Sequence, residues 1–151
     1  MDIRKISDTF FVAPQITEAD LPGLREQGIQ SIICNRPDGE GADQPAFTEL
    51  AQTAQKLGLD MRYVPVTAGM VRDKDAADFA SALDALRKPV LAYCRTGTRS
   101  ATLWSLAQAK TQPLADILSA TKSAGYDMKG VVRRIANGGK TPVDQADASY
   151  D

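Results

Sequence analysis

The chain has no histidine among its 151 residues, and this absence removes several kinds of enzyme at once. Without an imidazole there is no Ser/His/Asp triad and no Cys/His pair, and the common zinc and iron sites that use histidine are excluded as well. Any chemistry must therefore use cysteine, arginine, carboxylates, lysine, tyrosine and backbone amides. We expect no metal ion and no organic cofactor.

The sequence also lacks long apolar runs and an excess of charge of one sign. Its longest apolar stretches, such as Thr9 to Pro14, are too short to cross a bilayer, and the N-terminus does not have the layout of a signal peptide. Lys plus Arg number 18 against 19 Asp plus Glu, so no strong field attracts nucleic acid or an anionic membrane. The two cysteines are too few for a secreted disulfide framework and are expected to be free thiols. We predict a cytoplasmic protein without nucleic-acid or membrane partners.

What the sequence does contain is an alternation of strand and helix signals, in a chain long enough for one domain. Short apolar runs predict strands, and helical periodicity between caps and glycines predicts helices. Such alternation implies parallel β-α-β units, so we predict an α/β fold whose central, mainly parallel sheet has helices on both faces. The predicted strands are 10–12, 29–34, 61–66 and 90–93, and the predicted helices are 17–28, 45–58, 73–86, 101–109, 113–124 and 129–136.

The last residues differ in composition from the rest of the chain. After Asn137 the sequence is polar and contains two adjacent glycines and a proline, which is typical of a flexible terminus. We therefore predict a single domain over residues 1–137 and a flexible tail over residues 138–151.

The segment YCRTGTRSA, residues 93–101, places a cysteine between a predicted strand and a predicted helix. A tight turn at Gly97 and a helix that begins near Ser100 would turn successive backbone N–H groups into one concavity, which is a cradle for an anion. Arg99 would add a planar fork of donors and Arg95 a second positive charge, and this field would also favour a Cys94 thiolate. The alternative is a buried structural thiol. The arginines, glycine and hydroxyls favour a nucleophile, and the predicted anion-binding loop comprises Arg95, Thr96, Gly97, Thr98 and Ser100.

Auxiliary residues are predicted around this loop. Cys34 also ends a predicted strand, so it is a candidate resolving thiol, although a core position explains it as well. Asp73 or Asp75 is a candidate proton donor, although both also fit helix caps. A polar loop at the same sheet edge would position Arg99 or line the pocket, or is simply solvated; it contains Asn35, Arg36, Asp38 and Glu40.

The pattern Cys94-x-x-Gly97-x-Arg99-Ser100 resembles the active loops of two families, the tyrosine and dual-specificity phosphatases and the rhodanese-type sulfurtransferases. The layout from Asp8 to Ala136, including DTFFVAPQI, NRPDGE, YVPV and SAGYD, resembles the phosphatase-like domain of beta-lactamase-hydrolase-like proteins. This resemblance implies a tyrosine/dual-specificity phosphatase-like fold, with residues 1–137 as the catalytic domain. It also implies partnership with a metallo-hydrolase-like sulfur dioxygenase.

Two departures from the phosphatase pattern favour sulfur chemistry. Phosphatase loops of the resembled family have five residues between Cys and Arg and usually a His before the Cys, whereas here four residues intervene, as in rhodanese loops, and Tyr93 precedes Cys94. The family's acidic residue after the strand equivalent to YVPV is also absent from the segment Thr67 to Met70. A sulfite or thiolate leaving group needs no proton donor, while an alkoxide does.

We therefore predict from the sequence a cysteine-dependent sulfurtransferase, in which Cys94 takes a sulfane sulfur as a persulfide and Arg99 stabilises it. Its partners would be a small sulfur anion or persulfide donor and a thiol acceptor. The alternative is a phosphatase that acts on a phosphorylated substrate through a Cys94 phosphocysteine. A third possibility is a non-catalytic module that binds an anion.

Overall fold

The computed structural model describes residues 2–143, and a five-stranded sheet forms their centre. The strands lie in the order β1-β2-β5-β3-β4, with only the β1/β2 pair antiparallel. The carboxyl ends of the four parallel strands therefore meet at one edge, which is where ligands bind in sheets of this kind. The strands are β1 (Arg4–Ser7), β2 (Phe10–Ala13), β3 (Ser31–Cys34), β4 (Asp60–Tyr63) and β5 (Val90–Tyr93).

In the described part of the chain, six α-helices connect and cover the strands. Short 3-10 turns at Glu18–Asp20 and Lys129–Val131 lead into the first and the last of them. Within residues 2–143, no helix is both long enough and apolar enough to cross a membrane. The helices are α1 (Leu21–Glu26), α2 (Phe47–Lys56), α3 (Asp73–Ala85), α4 (Thr98–Gln108), α5 (Leu114–Ser123) and α6 (Val132–Ala136).

The buried side chains form two apolar clusters, one on each face of the sheet. Ile32 and Leu91 face the side covered by α1 and α2, while their chain neighbours Ile33 and Ala92 face the side covered by the later helices. This division follows from the side-chain alternation along a strand, and it explains why β3 and β5 are buried on both faces. The predicted fold, a mainly parallel sheet with helices on both faces, is confirmed.

Some element boundaries differ from the prediction. Strand β1 was not predicted, because its sequence RKIS has one buried apolar residue, Ile6, and lies at an edge of the sheet. Helix α4 begins at Thr98, three residues before the predicted start, because Gly97 adopts a left-handed conformation that ends the preceding loop.

Residues just after the predicted domain boundary pack against the domain. The Gly139 N–H donates to the carbonyl of Arg134 at 2.8 Å, and the Thr141 hydroxyl donates to the Asp73 carboxylate at 2.8 Å. The boundary at residue 137 stays a prediction, and residues 144–151 of the predicted tail lie outside the described residues.

Candidate active site

Cys94 lies directly after β5, at the sheet edge where the parallel strands end. Gly97, three residues after Cys94, has a φ of 96°, a conformation that residues with a side chain rarely adopt. This turn brings the Gly97 N–H to the Cys94 Sγ, to which it donates at 3.1 Å. The turn also places the sulfur near the N-terminus of α4, where the helix dipole favours negative charge. The predicted strand, thiol, turn and helix therefore occur in the predicted order.

Gly97 is also required by its surroundings. The Tyr126 hydroxyl and, at 3.0 Å, a methyl group of Val12 lie where a Cβ would be. Tyr126 is buried, and its burial raises the pKa of the phenol. Tyr126 was not identified as a site residue from the sequence, since nothing in SAGYD indicates that it reaches a loop almost thirty residues earlier in the chain.

Arg99 is the second residue of α4, and its guanidinium group is held on two sides. Its Nη1 and Nη2 donate to the two oxygens of Glu40 at 2.8 and 2.7 Å, and Nη1 also donates to the carbonyl of Val66 at 2.9 Å. Such a two-pronged ion pair fixes the plane of the guanidinium group as well as its position. Arg99 therefore reaches the pocket with its orientation fixed.

Glu40 joins two arginines at this site. Besides Arg99 it accepts from Nε of Arg36 at 3.0 Å, and Nη1 of Arg36 donates in turn to the side chain of Gln15 at 3.1 Å. The hydrogen bond from Arg99 holds the pKa of Glu40 below its ordinary range. Partial burial raises this pKa, but the hydrogen bond from Arg36 lowers it further. Glu40 is therefore a carboxylate, not a carboxylic acid, at neutral pH.

The hydroxyls of the loop have two kinds of environment. Ser100 is fully buried, and its hydroxyl donates to the Asn35 side chain at 2.8 Å, while Asn35 itself donates to the carbonyl of Val64 at 2.9 Å. Ser100 thus ties α4 to the segments after β3 and β4 and is not directed at a leaving group. Thr96 and Thr98 lie at the pocket, with their hydroxyls 3.3 Å apart.

A pocket of about 620 Å³ opens in front of the loop. Cys94 is 1% exposed and adjoins this pocket through Arg95, the next residue. The volume lies in the range of small-molecule sites, so it holds more than the anion at the cradle. The pocket is lined by Arg36, Glu40, Gly41, Thr67, Ala68, Arg95, Thr96, Thr98 and Arg99.

The polar loop after β3 behaves largely as the sequence predicts. Asn35, Arg36 and Glu40 hold α4 or line the pocket, as described above. Asp38 does not: its carboxylate accepts the N–H of Phe47 at 2.9 Å and so serves the start of α2. Gln15 and the Val66 carbonyl are parts of the site that the sequence did not indicate, since neither residue type is characteristic of it.

Cys34 has the contacts of a core residue. Its Sγ donates to the Arg36 carbonyl at 3.3 Å, and burial raises the pKa of its thiol. Cys34 pairs across the sheet with Tyr93 and packs in the same apolar cluster, whereas Cys94 is the residue after Tyr93. Cys34 therefore has the surroundings of a core thiol, and its role as a resolving thiol stays a prediction.

Asp73 does not reach the pocket. Its carboxylate accepts from Nη2 of Arg134 at 2.8 Å and from the backbone and hydroxyl of Thr141. The neighbouring candidate, Asp75, accepts the N–H of Arg72 at 2.9 Å and caps α3. The predicted role of Asp73 as proton donor is therefore not supported, because the residue serves an ion pair at the start of α3.

No group of three or more Cys, Asp or Glu side chains within residues 2–143 is placed to hold a metal ion.

Comparisons with known proteins identify the family of the chain. A sequence profile of the family described as "Beta-lactamase hydrolase-like protein, phosphatase-like domain" matches residues 2–111. A beta-lactamase hydrolase-like protein of Agrobacterium fabrum is 34% identical over 135 residues, which is 88% of this chain and 31% of that protein. The chain thus spans about a third of the length of this relative.

Solved structures give the same result for the fold. A candidate phosphatase from Neisseria meningitidis has a TM-score of 0.81 and 35% identity, with 91% of this chain and 99% of that chain covered. The structure of PTPMT1 in complex with PI(5)P has a TM-score of 0.69 with 12% identity, and the match covers 92% of this chain and 95% of that chain. The second likeness concerns the fold alone, which is the tyrosine/dual-specificity phosphatase-like fold.

Proposed function

This chain belongs to the family of phosphatase-like domains of beta-lactamase hydrolase-like proteins, and on that premise we propose that it hydrolyses phosphate monoesters through a Cys94 phosphocysteine. The observation that carries the proposal is the junction of β5 and α4. There the Cys94 sulfur accepts the Gly97 N–H, and the oriented guanidinium of Arg99 lines the adjoining pocket.

The proposed reaction has two steps. In the first, the Cys94 thiolate attacks phosphorus, an S–P bond forms, and the P–O bond to the leaving group breaks with its electron pair on oxygen. Arg99 and the loop amides stabilise the charge on the phosphoryl oxygens. In the second step water attacks phosphorus, the S–P bond breaks, and phosphate leaves with the thiolate restored.

The leaving group is limited by the acids available in the pocket. Glu40 is the one carboxyl side chain among the described residues that line it, and its ion pairs with Arg99 and Arg36 keep it ionised. It therefore cannot donate a proton at neutral pH. An aryl oxide leaves without protonation far more readily than an alkoxide, so we propose aryl phosphates as the better substrates.

The sulfurtransferase predicted from the sequence is not supported by the comparisons, which fit the phosphatase alternative better. The prediction depended on the four-residue spacing and on the missing acid. The spacing between Cys94 and Arg99 concerns only the loop around the Cys94 sulfur. The pocket in front of that loop, about 620 Å³, has room for a phosphoryl group and its leaving group. The predicted sulfur dioxygenase partner stays a prediction.

The test is turnover of 4-nitrophenyl phosphate, whose leaving group needs no proton donor. We expect release of 4-nitrophenol by the wild type, background rates for Cys94→Ser, and a loss of about a thousandfold for Arg99→Ala, since one oriented donor is worth that much. Cys34→Ser is the matched control and should keep its turnover, because Cys34 packs in an apolar cluster and does not line the pocket.

A parallel measurement separates the alternatives. The protein is incubated with thiosulfate and its intact mass is measured. One added sulfur atom on the wild type but not on Cys94→Ser, together with no phosphate release, would contradict the phosphatase in favour of sulfur transfer. Anion binding retained by Cys94→Ala, with neither activity in the wild type, would identify a non-catalytic module instead.

A further inference from the structure

Arg95 differs from the other two arginines of the pocket. Arg36 and Arg99 are buried and both are bonded to Glu40, whereas Arg95 is exposed. Its side chain has no hydrogen-bond or ion-pair partner within residues 2–143. Among the arginines that line the pocket, Arg95 is therefore the one that no carboxylate of the described residues pairs with.

The backbone of Arg95 is nevertheless fixed. Its carbonyl accepts the N–H of Gln15 at 3.3 Å, and the residue lies directly between Cys94 and Thr96. The side chain thus starts from a defined point at the rim of the pocket. An arginine attached there can reach a ligand without the ordering of its backbone, so only the side chain has to be ordered on binding.

Burial separates the roles of Arg95 and Arg99. The phosphoryl group must approach Cys94, which is buried, and Arg99, the second residue of the helix that follows the cysteine loop, is buried as well. Arg95 stands farther out, in a pocket of about 620 Å³ whose volume exceeds what a phosphoryl group fills. Arg95 is therefore placed to contact the part of the substrate beyond the reacting phosphorus.

We propose that Arg95 forms a second anion subsite, and that the substrate is a phosphate monoester with a further phosphate or carboxylate close to the scissile phosphoryl group. This inference rests on the proposed function and adds the substrate class to it. A planar guanidinium group pairs well with either of these anions, and the threonine hydroxyls at the rim are further donors. These hydroxyls belong to Thr67, Thr96 and Thr98.

The test compares substrates that differ in charge at one position. 3-Carboxyphenyl phosphate is compared with 3-carbamoylphenyl phosphate, and 3-(carboxymethyl)phenyl phosphate is compared with its amide. The two pairs differ in the distance between the phosphate and the carboxylate, and within each pair the leaving groups are similar. We expect the wild type to prefer the carboxylate in at least one pair by about fivefold to tenfold in kcat/KM at low ionic strength. Arg95→Ala should bring that ratio to about one, and Arg95→Lys should restore part of it.

Arg62→Ala is the matched control, because Arg62 is an exposed arginine that does not line the pocket. It should keep the wild-type preference; a loss of preference here would show that net charge, not Arg95, causes the effect. Equal kcat/KM for acid and amide at both spacings would overturn the subsite. Equal values would be expected if Arg95 stacked on the aromatic ring of the substrate, because the acid and the amide of a pair have the same ring.

Binding separates the failure of this inference from the failure of the proposed function. The affinity of the same four ligands is measured for Cys94→Ser and for Cys94→Ser with Arg95→Ala. If no ligand is turned over but Cys94→Ser prefers the carboxylates and the double variant does not, the subsite stands and the hydrolase is overturned. If turnover occurs and no preference is found, the hydrolase stands and the subsite is overturned.

Discussion

Two buried arginines, Arg99 and Arg134, make similar bonds at opposite ends of one loop. Arg99 binds the Glu40 carboxylate and the carbonyl of Val66, just before the loop of residues 67–70. Arg134 binds the Asp73 carboxylate at 2.8 Å and the carbonyl of Val71, just after that loop, at 2.6 Å. Each arginine thus fastens one end of the segment that contributes Thr67 and Ala68 to the pocket.

The surroundings of the two ion pairs differ. Arg134 is 0% exposed, and its partner Asp73 is also bound by Thr141, so these bonds join the start of α3, helix α6 and the residues after it. The Arg99–Glu40 pair faces the pocket beside Cys94. The same bonding therefore supports the fold at one end of the loop and the site at the other. The role proposed for the Arg99–Glu40 pair therefore rests on the open pocket near Cys94, not on the bond itself.

The largest effect that tests this comparison comes from Arg99→Lys. A lysine keeps the charge but loses the fork that binds Glu40 and Val66 together, so the cation is no longer oriented. We expect a loss of about a hundredfold in kcat/KM for an aryl phosphate, in keeping with the loss of one oriented donor. Steady-state kinetics measure it, and a loss below threefold would contradict the role given to the planar group.

Arg134→Lys is the same substitution at the other pair. Because lysine cannot bond Val71 and Asp73 with two separate nitrogens, a buried carbonyl loses its partner, and we expect a loss of about 2 kcal/mol in the free energy of unfolding. Urea denaturation followed by circular dichroism measures it. Activity per folded molecule should stay within twofold of the wild type; if it falls as far as in Arg99→Lys, the two pairs do not differ in the way described.

Glu40→Gln should have a smaller effect, and mainly on kcat. The amide keeps one acceptor for Arg99 but loses the charge that orients it, so we expect kcat to fall about tenfold. KM should stay equal or decrease, because one negative charge leaves an anion-binding pocket. Glu26→Gln, an exposed position on α1, is the control. An increase in KM at constant kcat would show that Glu40 binds substrate and does not position Arg99.

The comparison also shows what could be predicted from the sequence. The order of strand, thiol, turn and helix around Cys94 depends on local signals, namely an apolar run, a glycine and a hydroxyl-rich helix start, and it is confirmed. The ion pairs were harder to predict, because Glu40 and Arg99 lie 59 residues apart and Asp73 and Arg134 lie 61 apart. Residue type and position near a loop did not reveal which acid faces the pocket.

The function shows a related limit. The spacing of Cys94 and Arg99 favours sulfur transfer, the resemblance of the chain as a whole favours a phosphatase, and the comparisons agree with the whole-chain resemblance. Spacing fixes where two side chains start along the backbone. It does not determine the size of the pocket before them, to which residues 67 and 68 contribute from another part of the chain.

The smallest expected effect is on how the free energy of unfolding depends on pH. Substitutions of Glu40 and Asp73 are compared with a substitution of Glu26, an ordinary exposed carboxylate. The hydrogen bond from Arg99 lowers the pKa of Glu40; burial would raise the pKa of Asp73, but the bonds from Thr141 and Arg134 outweigh it and lower that pKa too. A carboxylate whose pKa is depressed in the folded state adds stability that is complete above its unfolded pKa, about 4, and is lost as the pH falls through the folded pKa. Glu40→Gln and Asp73→Asn should therefore be less stable than the wild type at pH 7, and the difference should shrink as the pH is lowered from about 4 to about 3. Urea denaturation between these pH values measures the difference, and curves that stay parallel to the wild type, as expected for Glu26→Gln, would show that neither ion pair stabilises its carboxylate in the folded protein.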